Sequence, residues 1–453
     1  MALRQYRIDM CNGPILPKML QMAWPGMLSN LLSMSFNAAD MIVVGNFGSE
    51  HSMAAVGSTG SMIGLLVNLF FGLSLGTSVL CARYLGAKNE KQVSDTVHTS
   101  ILFSVIGGLL LMVIGLCFSE RFLYWMNTPE EVLGLSALYL RIYFVGMIPS
   151  MICSFASTIL TAQGDTRRPA LFGVIAGVLN VVLNLLFVIV LKMDVAGVAI
   201  ATVISQTLSA ALVIGCLMRE TGPCRLNIRK LRIDASIALQ ILQIGIPSGL
   251  QNMAFSLSNV VIQSSINGFG PIVMAGNAAA VKIEEFVNVA MSPFWSSGGT
   301  FVSQNFGAKN YKRIGRVMRV TCVCTVISSV LASVLALVFA KPLVALFDPR
   351  PEVLGPAITR LWTICLLYFV CGLMSAFSGA IRGLGYSTLP ALVTIVGVCG
   401  FRLLWIGTIF QVPAYHTLEM LYASYGISWS ITFVAHVICF VLIRKKMLKV
   451  ATT

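Results

Sequence analysis

The chain has 453 residues, 57% of them apolar and only 11% charged. Soluble domains carry about 25% charged residues, so too little polar surface is available for a water-exposed fold, and a soluble enzyme is excluded. At about 20 apolar residues per membrane helix, the chain holds enough for twelve spans, and an all-α membrane protein is expected. The formal charge of +14 would suit a nucleic-acid binder, but Lys and Arg also accumulate in cytoplasmic loops of membrane proteins. Position decides between the two readings.

In chain order, apolar stretches bounded by charges and Gly/Pro punctuation predict spans near 16–45, 52–82, 94–118, 133–160, 169–191, 196–218, 237–268, 273–303, 314–340, 354–381, 389–411 and 424–443. An even count puts both termini on one side. That side collects 23 of the 31 Lys and Arg residues, among them Arg83, Lys88 and Lys91, five in 219–232, five in 309–319 and four in the tail; the other side has Arg121, Lys192, Lys341 and Arg350. Both termini are therefore expected in the cytoplasm of a cell whose cytoplasmic membrane holds the protein. The basic excess reports orientation, and no nucleic-acid partner is expected. The N-terminus lacks a small-residue cleavage site before the first apolar run, so the first span is expected to act as its own insertion signal.

The chain is written twice. YLGAKN at 84–89 recurs as NFGAKN at 305–310, and AQGDTRRPAL at 162–171 is echoed by GLGYSTLPAL at 383–392, both at an offset of 221. WPGMLSN at 24–30 matches IPSGLQN at 246–252 at an offset of 222, aligning Asn30 with Asn252 and Asn37 with Asn259. Six spans per copy in one orientation make a parallel repeat. The expected architecture is two parallel six-helix lobes related by a pseudo-twofold axis along the membrane normal: 1–218, a cytoplasmic linker at 219–236, and 237–453.

A charged group at mid-bilayer costs roughly 2.5–3.5 kcal/mol on insertion scales, so one retained there is a candidate for function. Of the 17 acids, only Asp40, Glu284 and Glu285 fall well inside spans. Asp40 follows Ser33 and Asn37 along one helical face. Span 5 carries Asn180 and Asn184 one turn apart, and span 6 carries Thr202, Ser205, Gln206 and Ser209. A carboxylate among neutral oxygens suits a proton or a hard cation such as sodium; an aspartate bathed in water at the outer end of the span is the alternative. In the second copy Asp40 aligns with Ile262, so the acid belongs to one half only.

Span 7 has a polar stripe of Asn252, Ser256, Asn259 and Gln263, facing neighbouring helices or a wet cavity. On span 8, Lys282 and Glu285 are spaced to neutralise each other, leaving Glu284 as the acid expected to face a cavity. Arg402 has no acid nearby in sequence. Arg141 and Arg360, early in their spans, are expected to reach back to the outer interface. The glycines of GLSLG (72–76) and GVIAG (173–177) have the spacing of close helix packing, and Pro25, Pro149, Pro247 and Pro293 should kink their spans. The 12 cysteines and four histidines show no metal-ligand spacing, and no HExxH, Walker or Ser-His-Asp grouping is present. No enzyme, cofactor or metal is expected, beyond a sodium ion at Asp40.

These features together, with DMIVVGNFG closing span 1, LGAKN and FGAKN after spans 2 and 8, and GDTRRPAL before span 5, resemble the multidrug and toxic compound extrusion family. The resemblance implies two lobes alternating between outward and inward access and exporting organic cations or amphiphiles in exchange for protons or sodium. It places cation coupling at Asp40, with Asn180, Asn184 and Thr202 as neighbours. Asn184 stands where some members have a second carboxylate, and the span-7 and span-10 acids of another branch are absent, Phe255 occupying the first of these positions. Asn37, Gln206, Asn259, Gln263 and Glu284 are then the candidates to line the substrate cavity. The partners implied are small amphiphilic or cationic molecules and the lipid bilayer, with the protein working as a monomer. A lipid-linked saccharide flippase of the same superfamily is the alternative.

Overall fold

The computed structural model describes residues 7–48, 52–126 and 128–450. Among these the regular structure is helical throughout. In order the helices are α1 (Ile15–Phe47), α2 (Ser52–Gly86), α3 (Glu90–Trp125), α4 (Glu130–Val145), α5 (Met147–Ala162), α6 (Arg167–Asn184), α7 (Asp194–Arg219), α8 (Ala235–Asn267), α9 (Pro271–Gly307), α10 (Tyr311–Val338), α11 (Ala340–Phe347), α12 (Pro351–Cys365), α13 (Tyr368–Gly383), α14 (Thr388–Thr394), α15 (Phe401–Gly407) and α16 (Leu418–Val450). Eight helical stretches are long and apolar enough to cross a bilayer, and two bent pairs, α4 with α5 at 46° and α12 with α13 at 44°, make ten. The long polar-striped α8 and α9 complete twelve passes. The predicted fourth span breaks at Gly146, with Pro149 in the first turn after the break. Pro25, Pro247 and Pro293 lie inside continuous helices.

The helices are built inside out relative to a soluble bundle. On α10 the exposed positions are Val323, Ile327, Val330, Leu331, Val334 and Leu335, while Thr321, Thr325, Ser329 and Ser333 form a buried column at helical spacing. On α3, Ile106, Leu109, Leu110 and Val113 face outward while Ser104, Gly107, Gly108 and Leu111 face in. Lipid provides no drive to bury apolar surface, so small and hydroxyl residues take the contacts where backbones approach.

The repeated motifs are helix C-caps. Lys88 and Lys309 adopt left-handed backbone conformations (φ 54° and 56°). In the first copy the Asn89 N–H donates to Tyr84 O (3.0 Å) and Lys88 N–H to Leu85 O (3.1 Å); in the second, Asn310 N–H donates to Asn305 O (2.8 Å) and Lys309 N–H to Phe306 O (3.0 Å). Gly164 and Gly385 (φ 90° and 97°) close the second motif pair with the same two bonds, Asp165 to Leu160 (3.0 Å) and Gly164 to Thr161 (2.9 Å), then Tyr386 to Ile381 (3.2 Å) and Gly385 to Arg382 (2.9 Å). All four are Schellman caps, which satisfy carbonyls that a helix end otherwise leaves bare. GDTRRPAL also anchors the linker: Arg168 donates to the buried Asp165 and to the buried Glu220 (2.7 Å), which also accepts from Arg7 (2.8 Å).

The chain divides into two compact units, one of Met1–Asp9 with Leu28–Gly249 and one of Met10–Met27 with Leu250–Thr453. These differ from the expected halves, because the division falls inside α1 and α8 and not in the linker. The reason lies in backbone packing. In the first unit Gly72 and Gly76 of α2 lie against Gly245, Gly249 and Ile241 of α8, so close that a Cβ on Gly72 would sit 2.3 Å from the Gly249 nitrogen. In the second, Asn305 donates to Met10 O (3.1 Å), Arg313 donates to Gly13 O (2.7 Å), and Gly26 lies against Pro293.

Candidate functional site

Within the first unit, the final turns of α1 bring Ser33, Asn37 and Asp40 along one face beside α6 and α7. Asp40 is partly buried, and Asn184, fully buried on α6, donates its amide to the Asp40 carboxylate. Asn180, one turn back on α6, has both its polar atoms satisfied when its amide nitrogen faces Asp40, donating to Oδ1 at 2.8 Å and reaching Oδ2 at 3.3 Å. Thr202 of α7 stands 3.4 Å from the Asn180 amide, its hydroxyl donating to Val198 O (2.9 Å). The two amides that meet the partly buried Asp40 carboxylate, Asn180 and Asn184, are 7% and 0% exposed.

The cluster opens on a cavity of about 430 Å³ in the same unit. Ser33, Asn37, Asp40, Asn180, Thr202 and Gln206 supply its polar lining, and Phe36, Phe71 and Met151 an apolar one. Gly177 lets α6 accept the Phe36 ring, since a Cβ there would lie 2.0 Å from ring carbons. The cavity thus carries a single carboxylate among amides and hydroxyls. Neutralising that carboxylate, by a proton or by a cation, weakens the charge-assisted hydrogen bonds that Asn180 and Asn184 donate to it. Asn184 Oδ1 is buried without a hydrogen-bond partner; it and the carboxylate are oxygens of the kind a hard cation takes. Among the described residues no cluster of three or more His, Cys, Asp or Glu could hold a metal.

Sequence reasoning missed two tyrosines of α4 at this site. The buried Tyr139 and the partly buried Tyr143 stack with ring centroids 6.0 Å apart. Their i, i+4 spacing was the available signal, hidden because aromatic residues in an apolar run read as lipid-facing.

The other cavity candidates lie in the second unit, and two expectations are corrected there. Glu284 does not stand free in a cavity; it is 7% exposed and grips Arg360 with both oxygens (2.7 and 2.8 Å). Arg360 does not reach the interface; it is 4% exposed and donates also to Asn277 (2.8 Å). Asn277 in turn donates to Gln263 (2.8 Å), which donates to Asn267 (2.9 Å), and Tyr422 reaches Asn277 at 3.3 Å. The polar network thereby ties α8, α9, α12 and α16. Asn259 accepts from Arg402 (3.2 Å). Lys282 and Glu285 pair with each other, as their spacing predicts, at 3.2 Å on an exposed face, and Arg141 pairs with Glu120 (2.8 Å).

The sequence model of the MatE family matches residues 25–186 and 247–406, both copies of the repeat. The chain is 27% identical to the probable multidrug resistance protein YoeA of Bacillus subtilis over 88% of this chain and 87% of that one. It is 24% identical to a protein named FAD transporter from Shewanella oneidensis, covering 83% of this chain and 84% of the other. In fold it matches the crystal structure of MATE in the bent conformation with a TM-score of 0.89 at 20% identity, over 96% and 97% of the two chains.

Proposed function

The chain belongs to the MatE family of multi-pass membrane transporters, and from that membership we propose that it is a cation-coupled antiporter exporting amphiphilic or cationic small molecules from the cytoplasm. The observation that carries this reading is the lone carboxylate of the first unit, Asp40, held by Asn184 and Asn180 at the wall of a cavity of about 430 Å³. That volume falls within the range of about 300–1,000 Å³ typical of small-molecule sites.

Ionised, Asp40 orders both amides toward itself and offers a charge to an organic cation. When a proton or sodium ion occupies it, the amide hydrogen bonds weaken, the contacts among α1, α6 and α7 change, and the affinity of the cavity changes with them. Exchange follows because a ligand shifts a two-state equilibrium only by its differential affinity for the two states, and the coupling between drug and cation is reciprocal. Both termini lie in the cytoplasm, the protein acts as a monomer in the cytoplasmic membrane, and no cofactor takes part. A lipid-linked saccharide flippase would want several unneutralised arginines to grip a pyrophosphate. Glu284 neutralises Arg360, leaving Arg402 as the one deep arginine with no acid beside it among the described residues, which weighs against that alternative.

The test is linkage. The dissociation constant of a cationic dye, measured on purified protein across proton and sodium concentrations, is expected to shift in the wild type and to become flat in Asp40→Asn. An Asp40→Asn protein that kept the full cation dependence would remove Asp40 from the mechanism.

A further inference from the structure

The second unit buries two guanidinium groups and one carboxylate. Glu284 commits both oxygens to Arg360, so Arg402, 0% exposed on α15, has no acid partner among the described residues. Its Nε donates to Ser428 (3.2 Å) and its Nη1 to Asn259 (3.2 Å), while Nη2 is buried with no acceptor. Its guanidinium carbon lies 4.0 Å from the centroid of the Tyr425 ring, 5.4 Å from that of Phe255 and 5.7 Å from that of Trp429, whose indole N–H is also buried without a partner. Ring faces offset part of the charge, but a buried cation lacking a counter-ion remains costly. Two buried donors without acceptors and a guanidinium without a counter-ion thus belong to one aromatic cluster.

The duplication sets this guanidinium close to the position that the amide cluster holds in the first copy. Each copy has a π-helical turn on this span, Leu185–Val190 in the first and Ile395–Gly400 in the second. At the offset of 221 set by Pro169 and Pro390 on this span, Arg402 falls one residue beyond the position of Asn180, while Asn259 and Ile262, at 222, fall at those of Asn37 and Asp40. Where the first unit has a carboxylate held by amides, the second has a guanidinium held by an amide. Asn259 is exposed, so Arg402 lies one side chain beneath an accessible surface, and displacement of that amide uncovers Nη1 beside the free Nη2.

We propose that Arg402, with the Trp429 indole N–H, forms a binding subsite for the carboxylate, sulfonate or phosphate group of amphiphilic organic anions, whose apolar parts lie against Phe255, Tyr425 and Trp429. This goes beyond the exporter reading, and a direct binding measurement tests it whether or not Asp40 couples transport.

The full-length protein in detergent is titrated with carboxyfluorescein, an organic anion, and with rhodamine 6G, an organic cation, by fluorescence polarisation. The wild type is expected to bind both saturably. Arg402→Gln should weaken carboxyfluorescein about tenfold or more, the size of a lost charge-assisted hydrogen bond, and leave rhodamine 6G within about twofold. Arg402→Lys, which keeps the charge, should restore part of the anion affinity. Trp429→Phe, which keeps a ring and removes the donor, should weaken the anion alone. Absence of saturable carboxyfluorescein binding to the wild type would overturn the proposal. So would unchanged anion affinity in Arg402→Gln, or a loss of both probes there with Trp429→Phe binding carboxyfluorescein as the wild type does.

Discussion

Asp40 was legible because acids are so scarce inside the spans that each one can be inspected, and because the duplication supplies Ile262 as its counterpart. Its amide neighbours were legible as a pair one turn apart. Glu284 was not: its partner Arg360 lies 76 residues away, and no local pattern announces a contact of that range, whereas Lys282 and Glu285, three residues apart, could be paired on spacing alone. The corrected reading makes a prediction about stability. Glu284→Gln leaves the buried Arg360 without its counter-charge and should lower unfolding free energy by about 3–5 kcal/mol. The double variant Glu284→Leu/Arg360→Met, which removes both charges, should recover much of that loss. Thermal denaturation of the purified variants checks it, and a double variant as unstable as the single one would show that the pair does more than neutralise itself.

Helix ends and helix crossings carry the information that the sequence motifs encode. LGAKN, FGAKN and the two glycine motifs stood out as repeats, but their role as Schellman caps became visible only with their backbone angles. Glycine is the residue such a position prefers, and Lys88 and Lys309 hold it with a Cβ. Lys88→Gly should therefore relieve backbone strain and raise stability by up to about 1 kcal/mol, less the extra entropy of glycine in the unfolded chain. Gly164→Ala should do the opposite and more, since its Cβ would also meet Ile8 at 2.8 Å. Melting temperatures of the two variants moving in the same direction would contradict the capping argument. At the crossings, GLSLG packs closely, as its spacing predicts, against Gly245 and Gly249 of α8, a partner that no local pattern announces. Gly72→Val should cost about 1–3 kcal/mol by overpacking. Gly57→Val, on the same helix with open space around it, should change little beyond helix propensity. Equal melting temperatures for the two would count against backbone contact at Gly72.

For the whole molecule, composition and charge position established a twelve-pass helical membrane protein, and the repeat established its duplication, because apolar content and Lys/Arg placement are set by the bilayer and need no tertiary information. The division into units was less legible. It runs through α1 and α8, continuous helices whose two ends pack with different partners, and nothing in the apolar pattern of a lipid-facing helix records which neighbour it meets. The two units differ in their buried charges, the first with Asp40 among amides and the second with Arg402 among aromatic rings. The proposed coupling carboxylate, Asp40, has Ile262 as its counterpart in the second copy. The most direct measurement is export of a cationic dye from proteoliposomes of the wild type and of Asp40→Asn, with proton and sodium gradients imposed separately. The account predicts that one gradient or both drive export by the wild type and that neither drives it in Asp40→Asn; gradient-driven export of undiminished rate by Asp40→Asn would contradict it.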